Sequence, residues 1–201
     1  MKTAINIVAF VALFIWSFSS GFFLSVMHTI HNVGFDPPDV NLTQLASKAK
    51  PGQWSLVHIL GEGCKCSRYV AESLIERGAD NESYEHVIFI GHFSEKIVAE
   101  VKQKGFHVQQ PTDEQVSKMG EFAGTPTLII FDDQKQVAYQ GGYSHTLLSP
   151  ANPPTDQQIY AQLKHGDTPT NHQIRGCAMS KKHQKNIDRF SLKYNLEENA
   201  L

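Results

Sequence analysis

The stretch WSLVHILGEGCKCSRYVAESLIERG, residues 54–78, decides how the chain is read, because it holds two of the three cysteines at a change of periodicity. Trp54, Leu56, Val57, Ile59 and Leu60 form an apolar run long enough for one buried strand and too short for a helix. Gly61 and Gly63 break it. From about Cys64 onward, Tyr69, Val70, Leu74 and Ile75 recur at helical spacing, Ala71 and Glu72 favour a helix, and Gly78 supplies a stop. Cys64 and Cys66 are therefore expected where a strand hands over to a helix N-terminus.

Unpaired amide N–H groups and the helix dipole favour an anion at that place, which lowers a thiol's pKa and raises its thiolate fraction. The thiolate is the species that attacks a disulfide. Free cysteines are often only small buried hydrophobes, but glycine on one side and Lys65, Ser67 and Arg68 around the pair point to redox or metal chemistry instead. The layout resembles the active-site junction of the thioredoxin superfamily, most closely its membrane-tethered, extracytoplasmic TlpA-like branch. That family carries Cys-x-x-Cys, whereas this chain carries Cys64-Lys65-Cys66-Ser67. The resemblance puts Cys64 at the nucleophile and Ser67 where the resolving cysteine stands, with Cys66 on an intervening position.

The rest of the chain continues the alternation. His86 to Gly91 reads as a second buried strand and Ser94 to Lys104 as a helix carrying Ile97, Val98 and Val101. Phe106 to Gln110 is a short edge strand, Pro111 to Met119 a helix, Thr125 to Phe131 a strongly β-like segment, Gln136 to Gln140 its antiparallel partner, and Asp156 to Leu163 a last helix of the domain. The fold class is α/β, a thioredoxin-like sandwich with a central mixed sheet and helices on both faces. In Gly124-Thr125-Pro126-Thr127 the resemblance implies a cis Pro126 facing the cysteines, with the Thr125 backbone available to an extended substrate segment.

Ile5 to Met27 is almost continuously apolar, with no Lys, Arg, Asp or Glu between Lys2 and Asp36. At 1.5 Å per residue this segment covers about 34 Å, enough to span a bilayer core. A retained transmembrane anchor is expected over 1–27, with a cleaved signal peptide ending near Ser20 as the alternative. Lys2 before the segment places the remainder on the extracytoplasmic (periplasmic) side of a single-pass membrane protein. Residues 28–50, with Pro37-Pro38 and a short candidate helix from Leu42 to Lys48, read as a linker. Residues 51–166 are the thioredoxin-like domain and 167–201 a C-terminal extension. There Cys177 precedes an expected helix from Ala178 to Phe190 and is a further candidate redox thiol.

A hydrophobic content of 41%, a charged content of 19% and a net charge of −2 are ordinary for a globular domain and give no reason to expect a nucleic-acid partner. The resemblance implies a thiol–disulfide oxidoreductase acting on protein thiols and disulfides with no organic cofactor, and in this chain the leading reading has Cys64 attack and Cys66 resolve the mixed disulfide. Glu62 reads either as a group that helps move protons at the junction or as an ordinary solvent-exposed glutamate flanking the helix. A second chemistry open to the pair is copper binding, with Cys64, Cys66 and a loop histidine such as His145 as ligands. A third reading is a redox-inactive interaction module. Side chains two apart inside a helix project about 200° around its axis. A Cys64–Cys66 bridge therefore needs Cys64 at the N-cap or before it; otherwise Cys66 must find another partner, and Cys177 is the one other cysteine.

Overall fold

The computed structural model describes residues 2–36, 39–40, 49–188 and 191–194. The apolar N-terminal stretch is one helix, α1 (Lys2–Asn32), longer at both ends than the apolar run itself. Its segment Ala9–Thr29, with mean hydropathy 1.9, is long and apolar enough to cross a membrane and is uncovered by the rest of the protein. A signal sequence has the same character. Phe10, Phe14, Trp16, Phe18 and Leu24 all project outward without apolar partners, as suits a helix that is apolar all round.

After two short strands, β1 (Gly34–Phe35) and β2 (Asp39–Val40), the deciding stretch folds as expected into β3 (Ser55–Gly61) and α2 (Lys65–Arg77). Then come β4 (Tyr84–Ile90), α3 (Glu95–Gln103), β5 (His107–Gln109), α4 (Asp113–Met119), β6 (Gly120–Glu121), β7 (Gly124–Thr125), β8 (Thr127–Phe131), β9 (Val137–Gly141), α5 (Asp156–Lys164), β10 (Ile174–Arg175), β11 (Cys177–Ala178) and α6 (Lys181–Ile187). The central sheet has the order β5-β4-β3-β8-β9, with β3 parallel to β4, β4 parallel to β5, and β8 antiparallel to both β3 and β9. Both faces are covered, so its central strands are apolar on both sides. Leu56, Leu60, Val87, Phe89, Leu128 and Ile130 pack against Val70, Ala71 and Leu74 of α2 and Ile159 of α5. Val57, Ile59, Ile88, Ile90 and Ile129 pack on the other side against Met119 and Phe122.

Inside the first face lies a polar hub. Arg77, in the last turn of α2, donates to Glu85 of β4 and to Asp156 of α5, the latter at 2.8 Å. His58 contacts Glu85 at 3.1 Å and Tyr143 Oη at 2.8 Å. His58, Glu85 and Asp156 are close enough together to suit a metal ion. The Arg77 guanidinium already brings positive charge to both carboxylates, so the hub reads as a buried ion-pair network tying α2 to the sheet and to α5.

The domain is wider than residues 51–166. β1 pairs with β10 (Gly34 opposite Arg175), β2 with β6 (Asp39 opposite Glu121), and β11 with β7 (Cys177 opposite Thr125). Phe35, Ile174 and Ala178 are buried together in a small apolar cluster with Ile187 and Tyr194 at its edge. The expected linker is thus docked at two places, and the C-terminal extension is built into the fold. Two-residue strands carry too little periodicity to be seen in sequence. The expected helix at Ala178 starts later, at Lys181, because the Ser180 hydroxyl caps it by accepting from His183 N, while Cys177 and Ala178 are taken by the ladder to β7. Cys177 is therefore a strand residue, not a helix-start thiol. The candidate helix at Leu42–Lys48 lies outside the described residues.

Candidate active site

Cys64 is the N-cap residue of α2, with extended backbone (φ −89°, ψ 113°), and Cys66 is the second residue of the helix. Gly63 precedes Cys64 at φ 65°, a conformation glycine adopts without a Cβ penalty, and it turns the chain from β3 into the helix. The buried residues of α2 are Cys66, Ser67, Val70, Ala71 and Leu74, so the helix face that covers the sheet also carries Cys66 inward. Ser67 is fully buried and its hydroxyl accepts from Gly61 N at 3.0 Å. Where the resemblance places a resolving thiol, the chain has a hydroxyl that fastens α2 to the end of β3.

The Thr125–Pro126 peptide is cis, and the Cys64 thiol lies 3.4 Å from the Thr125 carbonyl oxygen. The Thr125 hydroxyl is buried with no hydrogen-bond partner among the described residues. The backbone edge of Thr125, expected to be open to a substrate segment, is occupied by the chain's own Cys177 through the β7–β11 ladder. Gly176 makes that approach possible: a Cβ there would overlap the Thr125 carbonyl oxygen and come within 3.0 Å of the Pro126 ring.

All three cysteines are free thiols, Cys64 and Cys66 at the start of α2 and Cys177 opposite Thr125 across the β7–β11 ladder. Hydrogen bonds from Cys177 and then Cys66 hold the Cys64 thiol far below its ordinary value of 9.0, with Ser67 adding to the effect and burial opposing it. The same contacts push the other two up. Cys66 is raised by its bond to Cys64, by burial and by the Cys64 charge, and Cys177 by its bond to Cys64 and by burial. One thiolate, Cys64, is thus favoured between two protonated neighbours. Among the described residues the one set of three such ligand atoms lying within 4.8 Å of one another is His58, Glu85 and Asp156. The three sulfurs are therefore not mutually close: Cys66 and Cys177 flank Cys64 rather than touching each other.

Lys193 and Tyr194 complete the surroundings of Cys177. The buried Asp188 carboxylate accepts from the backbone N–H groups of Leu192, Lys193 and Tyr194 at 2.9, 2.7 and 2.8 Å, which folds the tail back. Those bonds hold Asp188 low against the opposing effect of burial. Tyr194 Oη accepts from Ala178 N at 2.9 Å, and the Lys193 ammonium sits over the Tyr194 ring and beside the Cys177 sulfur, favouring the thiolate there. Neither residue is evident from the sequence, where Lys193 belongs to a basic run that reads as a solvated face. Two cavities open at the site. One of about 260 Å³ is lined by Gly63, Cys64, Lys65, Arg68, His92 and Phe93. The other, about 510 Å³, is lined by Glu62, Asp113, Cys177, Met179, Lys193 and Tyr194.

Of two further candidates, one lies at the site and one does not. The Glu62 carboxylate accepts from His92 N at 2.8 Å and so braces the loop after β4. His145 is not brought to the thiols: its Nδ1 lies 3.1 Å from His172 Nδ1, and both line a separate cavity of about 400 Å³ beside α5.

The fold recurs in solved structures at low identity. An uncharacterized conserved protein from Geobacillus kaustophilus is 17% identical, with 74% of this chain and 90% of that chain covered and a TM-score of 0.53. A hypothetical protein from Sinorhizobium meliloti 1021 is 20% identical over 73% of this chain and 90% of its own, with a TM-score of 0.48. A thiol:disulfide interchange protein from a Bacteroides species is 16% identical over 56% of this chain and 73% of its own, with a TM-score of 0.42. The fold is thioredoxin-like. No curated protein sequence matches the chain. Over residues 35–180 the sequence matches the family described as Domain of unknown function (DUF6436), and the chain belongs to that family.

Proposed function

We propose that this protein is a TlpA-like thiol–disulfide oxidoreductase that acts on protein disulfides, held at the membrane by α1 with its domain on the extracytoplasmic side. The observation that carries the reading is the Cys64 sulfur: it stands at the N-cap of α2, 3.4 Å from the Thr125 carbonyl oxygen before a cis proline, with Cys66 two residues on in the helix and Cys177 opposite Thr125 in the β7–β11 ladder. A thiolate so placed attacks one sulfur of a substrate disulfide and forms a mixed disulfide, which a second thiol of the same chain, Cys66 or Cys177, then resolves. Disulfide exchange is favoured outside the cytosol, where thiols are not held reduced. The test is exchange with a model protein disulfide by the full chain in detergent micelles, alongside Cys64→Ser. Loss of exchange in Cys64→Ser supports the reading; exchange that persists unchanged in that variant refutes it. Protease added to intact spheroplasts should digest the domain, and protection there would refute the extracytoplasmic placement.

Copper is a second reading, and what favours it is the pair Cys64 and Cys66 at the start of α2 rather than His145, since soft thiolates suit Cu(I). Mass spectrometry of the purified chain after incubation with Cu(I) separates the two. A stoichiometric copper adduct without disulfide exchange would replace the oxidoreductase reading, and neither activity would leave an interaction module.

A further inference from the structure

Three thiols meet at the site and one exchange cycle uses two. We infer that Cys177, carried by the C-terminal strand β11, is the thiol that resolves the mixed disulfide on Cys64, and that Cys66 stays fixed on the buried face of α2. This deepens the oxidoreductase reading and rests on it.

Cys66 sits in the first turn of α2 on its buried face, and that turn is already closed by the bond from Arg68 N to the Cys64 carbonyl at 3.0 Å. A bridge from Cys64 to Cys66 would close a small ring inside this turn and store strain away from preferred disulfide geometry. Cys177 belongs to a separate segment, held by the ladder to β7 and by the bond from Met179 N to the Ala123 carbonyl at 3.1 Å but not by a helix, so bringing it to Cys64 does not require a helical turn to unwind.

In thiol–disulfide exchange the attacking sulfur approaches along the line of the bond it breaks. Cys64 lines the smaller cavity and Cys177 the larger one, and the two cavities adjoin at Glu62 and Gly63, so a substrate sulfur reaching Cys64 through the first leaves Cys177 its own approach through the second.

The two thiols also differ in the charge beside them. The Lys193 ammonium lies beside Cys177, whereas the groups acting most strongly on Cys66 are Cys64, Cys177 and the Leu148 backbone, none of them a cation. While Cys64 is a thiolate its charge keeps Cys177 protonated. Once Cys64 is consumed in the mixed disulfide that charge is gone, and Lys193 then favours the Cys177 thiolate when it is needed.

The chemistry balances as follows. The Cys64 thiolate attacks RS–SR′, forming Cys64–S–SR and releasing R′S⁻, which takes up the Cys177 proton. The Cys177 thiolate then attacks the Cys64 sulfur, forming a Cys64–Cys177 disulfide and releasing RS⁻. The substrate disulfide is reduced by two electrons and the two cysteines are oxidised by two; a dithiol protein partner would restore them by the reverse exchange.

The experiment uses the full chain in detergent micelles with glutathione disulfide as probe, counting released glutathione and mapping peptides by mass spectrometry. The wild-type chain should release two equivalents and yield a Cys64–Cys177 link. Cys177→Ser should stop after one equivalent with glutathione retained on Cys64, while Cys66→Ser should complete the cycle. Lys193→Met should slow the second release several-fold and leave the first unchanged. A Cys64–Cys66 link in the wild-type chain, or arrest in Cys66→Ser with completion in Cys177→Ser, overturns the assignment but keeps the oxidoreductase reading. Glutathione that never reaches Cys64 in any form of the chain overturns both. Peptide mapping of the wild-type chain decides the point even if a variant misfolds.

Discussion

Replacing Cys177 by alanine removes the largest influence that holds Cys64 as a thiolate. A hydrogen bond to a charged group contributes about 1.5–3 kcal/mol, and one pKa unit corresponds to about 1.36 kcal/mol. A thiol is a weak donor, so the lower end of that range applies, and the loss should raise the Cys64 pKa by about one unit. Cys64 is only 4% exposed, so water cannot readily replace the missing donor while the tail stays in place. The sign follows from reactivity: below its pKa Cys64 is protonated, and its alkylation slows about tenfold for each further pH unit. The assay is the iodoacetamide rate at Cys64, read peptide by peptide from mildly alkaline to strongly acid pH. In the wild-type chain the rate should stay flat well below pH 9.0, and in Cys177→Ala the break should move up by about one unit. The variant also opens the site and can raise the rate at every pH, so the position of the break, not the absolute rate, carries the result. A break at the same pH in both proteins, or a downward shift, would refute the picture of one thiolate held by two thiol donors.

Three other outcomes follow from described contacts. Burial pushes the Glu85 carboxyl up, but hydrogen bonds from Arg77 and His58 outweigh it and hold the group at about 2, below its ordinary 4.5. The associated stability, about 3 kcal/mol, is therefore present above pH 4.5 and is lost as the pH falls toward 2; urea unfolding of Glu85→Gln should lack this acid slope, and an unchanged slope would exclude the hub as its source. Ser67→Cys should cost about 1 kcal/mol by weakening the bond from Gly61 N, and in the oxidised protein the new thiol should compete for Cys64, which peptide mapping would reveal. Gly176→Ala should part β11 from β7 at a cost of about 1–3 kcal/mol and speed Cys177 alkylation; an unaltered rate would mean that the ladder does not hold that thiol.

The central sheet was legible because its strands and helices are long enough to show their periods. The run from Trp54 to Leu60, the helical recurrence of Val70 and Leu74, and the β-rich TLIIF segment map onto β3, α2 and β8 with shifts of a residue or so. The Cys64 position was legible too, because glycine before it and helix formers after it leave one place for the junction. The company Cys64 keeps was not. Cys177 comes from a strand of two residues, and Lys193 is positioned by backbone N–H groups converging on Asp188, so neither leaves a pattern in the sequence. In the sequence Cys177 stands directly before the stretch from Ala178 to Phe190 that reads as a helix, which makes it look like a helix-start thiol. The Ser180 cap was the signal for the later start, and it competes with an equally plausible start at Ala178.

The short ladder between Gly34–Phe35 and Ile174–Arg175 also sets the reach of the thiols. From Thr29, where the apolar part of α1 ends, the path runs through the last helical turn, two extended residues, one step across the ladder and two residues to Cys177. At helical and strand rises that path is about 23 Å. A free tether made of residues 28–50 would instead extend to roughly 75 Å when taut. If α1 spans a bilayer, as proposed, the docked segment turns a long leash into a short post and would confine the thiols to a thin shell above the lipid headgroups. On that proposal, protein disulfides near the surface would fall within the shell, and those at the far end of a tall ectodomain would not.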